Sequence, residues 1–241
     1  MSIQYSGVSF EYSSATGKIF DLGESVMFFE DPGRPIPAEI TAKTGITREM
    51  VAGQRLDEAR IVETVMSVSL VIAHNAAFDR PFLERRIPAF CEKPLACSQT
   101  DVSWPDEGFD SVKLEYLLFK HCRAFYQAHR ADEDCYAGIH LLATPLPSGE
   151  LPLRLLLESA RRTTVRIWAV ESPFEAKDAL KARKYTWNAG TDGRPKAWHI
   201  DVKEERFDQE CAWLQEHVYG GRKPPVRTDK LDARARFSKR G

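Results

Sequence analysis

The chain has 241 residues, 43% hydrophobic, 29% charged and 10% aromatic, enough for one ordinary core and a smaller second unit. This composition belongs to a packed globular protein and excludes the disordered and fibrous classes. With 34 Lys and Arg against 35 Asp and Glu, the net charge is -1, so attraction to nucleic acid has to come from local basic patches. No stretch approaches the roughly 18 uninterrupted apolar residues of a membrane span, and no basic segment followed by an apolar signal core opens the chain. A cytoplasmic location is expected. The cysteines Cys91, Cys97, Cys122, Cys135 and Cys211 are odd in number and form no C-x-x-C pair. They read as reduced thiols, without a disulfide framework or a zinc site.

In chain order, the strand-forming run Ile3, Tyr5, Val8, Phe10, Tyr12, the turn SSATGK and the run Ser25 to Phe29 predict a hairpin. After the Pro-rich DPGRPIP a helix is expected around Asp57 to Met66, and the apolar run Val68 to Ala73 reads as a buried strand. The segment HNAAFDRPFLERRI follows, with Phe78 and Phe82, and Leu83 and Ile87, each four apart as one helix face requires. Pro81 is tolerable there only in a first turn, which puts Asp79 at the strand-to-helix junction. Lys113 to Lys120 and Ala131 to Ala143 read as helices, and TPLPSGELP at Thr144 to Pro152 as a linker. Beyond it a helix (Leu153 to Arg162), a strand (Val165 to Val170), and a capping-box helix start at Ser172, Pro173 and Glu175 are expected. Strands at Lys184 to Asn188 and Lys196 to Val202 then flank TDGRP, and a closing helix carries Phe207, Cys211, Leu214 and Val218. From Arg222 onward eight Lys or Arg stand against two Asp. That tail reads as basic and disordered, either a phosphate-binding arm or an inert end.

Three residues draw attention as chemistry. His129 and Asp134 form H-x-x-x-x-D, and on a regular helix five positions separate two side chains by roughly 140°. They converge only if His129 lies in the loop entering the helix, an arrangement that suits a base beside a metal ligand. Singly each has an ordinary explanation. A His before a helix caps or solvates it, Asp134 beside Asp132 and Glu133 makes an acidic face, and Asp79 near a helix start favours the helix dipole.

Together, VIAHNAAFDRPFLERR around Asp79, HRADEDCYAG around His129 and Asp134, and PIPAEITAKTGITREMV resemble the DEDDh 3'-5' exonucleases, the group of ribonuclease T and the epsilon proofreading subunit of bacterial DNA polymerase III. The resemblance covers roughly residues 1 to 145. It implies an α/β, ribonuclease H-like fold and a pair of Mg2+ or Mn2+ ions, with Asp79 and Asp134 as metal ligands and His129 as general base on the attacking water. The PIPAEITAKTGIT stretch resembles the segment that shapes the nucleotide pocket. Such chemistry is reasonable, because paired hard cations on carboxylates stabilise both the attacking and the leaving oxygen of a phosphodiester.

The sequence departs from the family at one place. The D-x-E of the first strand is expected just before the hairpin, and nothing in these residues occupies it; Asp21 with Glu24 has the wrong spacing. The expected sheet therefore lacks an inner strand, with a gap or altered pairing, exposed edges and impaired activity as consequences.

The expected division is an exonuclease-like domain at 1–145, a linker and helix at 146–162, a small α+β domain at 163–219, and the tail at 220–241. In the small domain Lys177, Lys181 and Lys184 fall at helical spacing, and Tyr185 and Trp187 on one strand face. They form either a platform for single-stranded nucleic acid or a solvated stripe over a Trp-rich core. FEAKDALKARKYTWN…KAWHIDV is similar to a small module attached to primases and other nucleic-acid enzymes. The readings are an exonuclease acting on DNA or RNA 3' ends, an inactive fold that grips nucleic-acid ends, or a subunit docking on a polymerase or helicase, for which no partner-binding peptide is recognisable.

Overall fold

The computed structural model describes residues 3–125, 130–191 and 193–238. They fall into two compact units, one within Met1–Ala160 that also takes in Phe237 and Ser238, the other within Arg161–Arg236. Among the described residues no helix is long and apolar enough to cross a membrane.

The first unit opens with the expected hairpin, β1 (Gln4–Tyr12) antiparallel to β2 (Ile19–Phe29), whose second strand starts well before the expected Ser25, with register shifts between Val8 and Phe10 and between Glu11 and Tyr12. Its turn needs Gly17. The residue sits at φ 72°, and a Cβ there would come within 2.5 Å of the Arg154 backbone nitrogen. Helices α1 (Ala38–Thr44), α2 (Arg48–Val51) and α3 (Glu58–Ser67) follow. Asp57 caps α3 by accepting the Arg60 N–H at 2.9 Å, and Ile61 and Val65 form its buried stripe.

Strand β3 (Val71–Ala73) is shorter than expected, and all its residues are only half-buried. Val68 instead forms the C-cap of α3, and its carbonyl accepts the Lys93 ammonium at 2.8 Å. β3 pairs in parallel with β4 (Leu95–Cys97), a strand the sequence did not announce. Among the described residues β1–β2 and β3–β4 are separate two-stranded ladders. Helix α4 (Ala76–Arg86) joins β3 to β4. Next come α5 (Leu114–Leu117), which runs into a π turn at Leu118–Cys122, then α6 (Ala131–Ala143) and α7 (Pro152–Arg161). The main core lies among these elements, around Trp104, Leu117, Leu141, Leu153 and Leu156.

The second unit contains β5 (Thr164–Ala169), α8 (Lys177–Ala182), β6 (Thr186–Asn188), β7 (Ala197–Lys203), α9 (Phe207–His217) and β8 (Val226–Leu231). Its strands form one antiparallel sheet in the order β6-β7-β5-β8. Val165, Ile167 and Ala169 of the central strand pack into a core with Leu180, Tyr185 and Leu214. The alternate residues face the other way. There Arg166 makes a two-pronged ion pair with Asp201 at 2.7 and 3.0 Å, and the indole of buried Trp168 donates to Asp229 at 2.5 Å.

Two expectations are corrected. Residues 226–231 do not belong to a disordered tail, because β8 completes the sheet against β5, and Asp229 serves as acceptor for a buried tryptophan. No capping box starts the helix after β5. A 3-10 turn at Phe174–Ala176 precedes α8, and its entry residue Pro173 offers no side-chain cap.

Candidate active site

The site is built on two helix starts. β3 ends at Ala73, and His74 turns inward. A carbonyl can only accept, so the 2.8 Å contact of His74 Nε2 with the Val112 oxygen places the ring proton on Nε2. Nδ1 then accepts from the Ser98 hydroxyl at 2.9 Å. Burial pushes the imidazole's pKa down, against the opposing effects of the Val112 bond and the Asp134 charge. His74 is therefore a neutral pin joining β3 to the loop that carries Val112, with both ring nitrogens engaged.

Asn75 follows at φ 75°, and α4 begins with Ala76, so Asp79 lies in its first turn. Pro81 stands one turn deeper than expected, inside the helix. The predicted Phe78/Phe82 face exists, with the rings tilted and 5.2 Å apart, but it points outward, the residues being 62% and 41% exposed. The stripe that α4 buries is Ala76, Arg80 and Glu84. Two of these are charged and pair with each other, Arg80 Nε to Glu84 Oε1 at 2.7 Å, while of the second predicted pair Leu83 packs against the core that contains Ile87.

Asp134 occupies the first turn of α6. β1 fixes that turn through Gln4, whose carbonyl oxygen accepts the Ala131 N–H at 3.1 Å while its amide donates to Asp132 at 3.3 Å. Asp132 is thereby tied to β1, whereas the Asp134 charge acts on Asp79, His74 and Cys135. The Asp79 carboxyl is pushed up to about 6, first by burial and then by the Asp134 charge, against a lowering bond from its own backbone N–H. Burial is also the main cause of the rise of the neighbouring Cys135 thiol to about 11, with Asp134, Asp132 and Asp79 adding to it. Two carboxylates from different helices thus share a partly buried region in which both cannot be charged without cost. A divalent cation relieves that repulsion, and all-oxygen donors suit a hard ion. Among the described residues no group of three or more His, Cys, Asp or Glu is arranged to hold a metal ion. His129, the expected base, lies outside the described residues.

In the second unit the proposed nucleic-acid residues separate. Lys181 and Lys184 are exposed, and the Lys177 ammonium lies 5.5 Å from the centre of the 80% exposed Phe174 ring. Trp187 is 46% exposed and tilts against Trp198 at 5.5 Å. Tyr185 is a correction, since it is only 4% exposed and its hydroxyl donates to Glu210 at 3.0 Å. The reason is the end of α8. Lys184 adopts φ 68°, and the Tyr185 N–H returns to the Leu180 carbonyl at 2.9 Å, a Schellman closure that turns Tyr185 into the core before β6 starts. Phe174 takes the exposed aromatic position instead, and nothing in its spacing had signalled it.

The sequence profile of the RNase_T exonuclease family matches residues 14–142, more than half of the chain. The chain belongs to this exonuclease family, and its first unit is an α/β exonuclease domain of the DEDDh type. It is 33% identical over 154 residues to the PolC-type DNA polymerase III of Clostridium perfringens, covering 54% of this chain and 10% of that protein. It is 39% identical over 174 residues to a DNA polymerase III subunit epsilon-like protein of Rhodobacter capsulatus, covering 70% of this chain and 20% of that protein. The chain thus spans a tenth and a fifth of the lengths of these two relatives. Among solved structures, exonuclease X in complex with 5' overhanging duplex DNA aligns over 65% of this chain and 81% of that one, at 22% identity and a TM-score of 0.40.

Proposed function

We propose that the protein is a metal-dependent 3'-5' exonuclease acting on DNA or RNA ends in the cytoplasm. The observation that carries this reading is the carboxylate pair, Asp79 on α4 and Asp134 on α6, whose mutual repulsion and burial hold Asp79 at about 6. Asp79 and Asp134 would hold Mg2+ or Mn2+, which when bound supplies charge stabilisation at the scissile phosphate and lowers the pKa of a bound water. His129 would take the proton from the attacking water, as its place in the resembled motif implies. Phe78 and Phe82 offer exposed aromatic faces beside Asp79 on which a terminal base can stack. In the second unit Lys177, Lys181 and Lys184 would contact the phosphates of the strand, and Trp187 with Phe174 its bases.

A second reading, an inactive homologue that grips nucleic-acid ends, is favoured by one observation. Among the described residues no third His, Cys, Asp or Glu joins Asp79 and Asp134 in a metal-binding group, so an active site would need ligands from outside that set. The test is degradation of 3'- and 5'-labelled single-stranded DNA and RNA with Mg2+ or Mn2+. It compares the chain with Asp79→Ala and Asp134→Ala. Metal-dependent release of nucleotides from 3' ends, abolished by either substitution, is the expected result. Tight binding of ends without cleavage supports the second reading.

A further inference from the structure

By its own chemistry α4 is a weak helix. Its entry residue Asn75 gives no side-chain cap, and Pro81 removes the N–H that would reach the Ala77 carbonyl. Asp79 lies between these two defects, so the helix depends on contacts from elsewhere. Arg80, fully buried, reaches Glu84 through Nε and the Lys93 carbonyl through Nη2 at 3.3 Å. The other Glu84 oxygen, Oε2, accepts the hydroxyl of Ser238 at 2.6 Å, from 154 residues further along the chain. Ser238 is itself buried. Its neighbour Phe237 packs against the small core of Ala76, Leu95 and Cys97, one member of which is the first residue of α4. Phe237 holds φ 64°, a left-handed conformation that a bulky side chain adopts only where its surroundings impose it.

We propose that Phe237 and Ser238 are positioning residues that strap α4 near both of its ends and so fix the helix that carries Asp79. The proposal rests on the reading of Asp79 as a metal ligand, because a ligand shared with a second helix has to be held to within about half an ångström. The Ser238 hydroxyl donates to the second oxygen of a buried carboxylate. Without it that oxygen loses a strong donor, and the less tightly held carboxylate turns or admits water. That disturbance falls on α4 a few residues after the break at Pro81. The strap also follows the second unit in sequence, since the chain leaves the first unit at Ala160 and rejoins it at Phe237.

Amide hydrogen exchange on the full chain tests this, with Ser238→Ala, Ser238→Thr and Phe237→Leu compared over 76–86 and 131–143, and with Mn2+ binding followed by electron paramagnetic resonance. Ser238→Ala should speed exchange in α4 about tenfold while α6 keeps its protection. Mn2+ affinity should fall by about tenfold in the same variant, as for loss of a group that orients a ligand. Ser238→Thr, which keeps the hydroxyl, should restore both. Should Ser238→Ala not fold, Phe237→Leu is expected to show the same α4-selective loosening. Unchanged exchange in α4, or equal acceleration in α4 and α6, overturns the strap. Selective loosening of α4 in a protein that binds no Mn2+ in any form leaves the strap standing and refutes the metal reading instead.

Discussion

α6 buries Ala137, Leu141 and Leu142, an apolar stripe at helical spacing, and a glutamine from β1 caps its first turn. α4 buries Ala76, Arg80 and Glu84, contains a proline, and starts from a left-handed asparagine without a cap. Each presents one carboxylate to the same region, yet one helix is specified by its own sequence and the other by its surroundings. The difference shows where a site can be perturbed. A defect near α6 is absorbed by a regular helix, whereas a defect near α4 is passed to Asp79.

The largest expected effect breaks that dependence. Arg80→Ala removes the guanidinium from the buried Glu84 carboxylate and should cost about 3–5 kcal/mol of the first unit's stability in denaturant unfolding, whereas replacing the pair with Met and Leu should cost less, the remaining loss coming from the bonds that the Ser238 hydroxyl and the Lys93 carbonyl then lose. Titration comes next. Asp79 is raised to about 6 against an unfolded value near 4, so its protonated form is favoured by folding. Its contribution is present below about pH 4 and is lost as pH rises through about 6, a change of about 3 kcal/mol at most. Carbonyl-carbon nuclear magnetic resonance should follow this titration, and Asp134→Asn should bring it down while burial keeps it above the ordinary value. The smallest effect belongs to α6. Gln4→Ala removes the cap bond from Ala131 and the bond to Asp132 and should cost about 1 kcal/mol, with Asp79 still titrating near its original position.

What the sequence made legible follows the same division. The hairpin, α6, α7, β5, β7 and α9 carry periodic apolar residues, and each was expected close to its observed place. α4 is legible as a helix, with Leu83 and Ile87 at the core as their spacing suggests, but its buried ion pair and exposed phenylalanines run against hydropathy. β4 is three residues long after Pro94, too short for alternation to register. β8 was hidden by its Lys, Arg and Asp, one of which is the acceptor for Trp168. Tyr185 was misread because a left-handed lysine interrupts the period. In the site, Asp79 and Asp134 were legible through motif resemblance, since no spacing rule joins residues 55 positions apart, and His74 and the exposed Phe78 needed coordinates. His129 lies outside the described residues.

The central claim is that Asp79 and Asp134 form one cation site whose repulsion is the cost of its function. Thermal unfolding of the wild type and Asp79→Asn at pH 7, with and without Mn2+, tests it most directly. Removal of one charge from the pair should raise the midpoint of the metal-free protein by several degrees, roughly what 1–2 kcal/mol yields in a domain of this size. The same substitution should abolish the stabilisation that Mn2+ gives the wild type. A lower midpoint for Asp79→Asn together with an undiminished Mn2+ effect would contradict the claim.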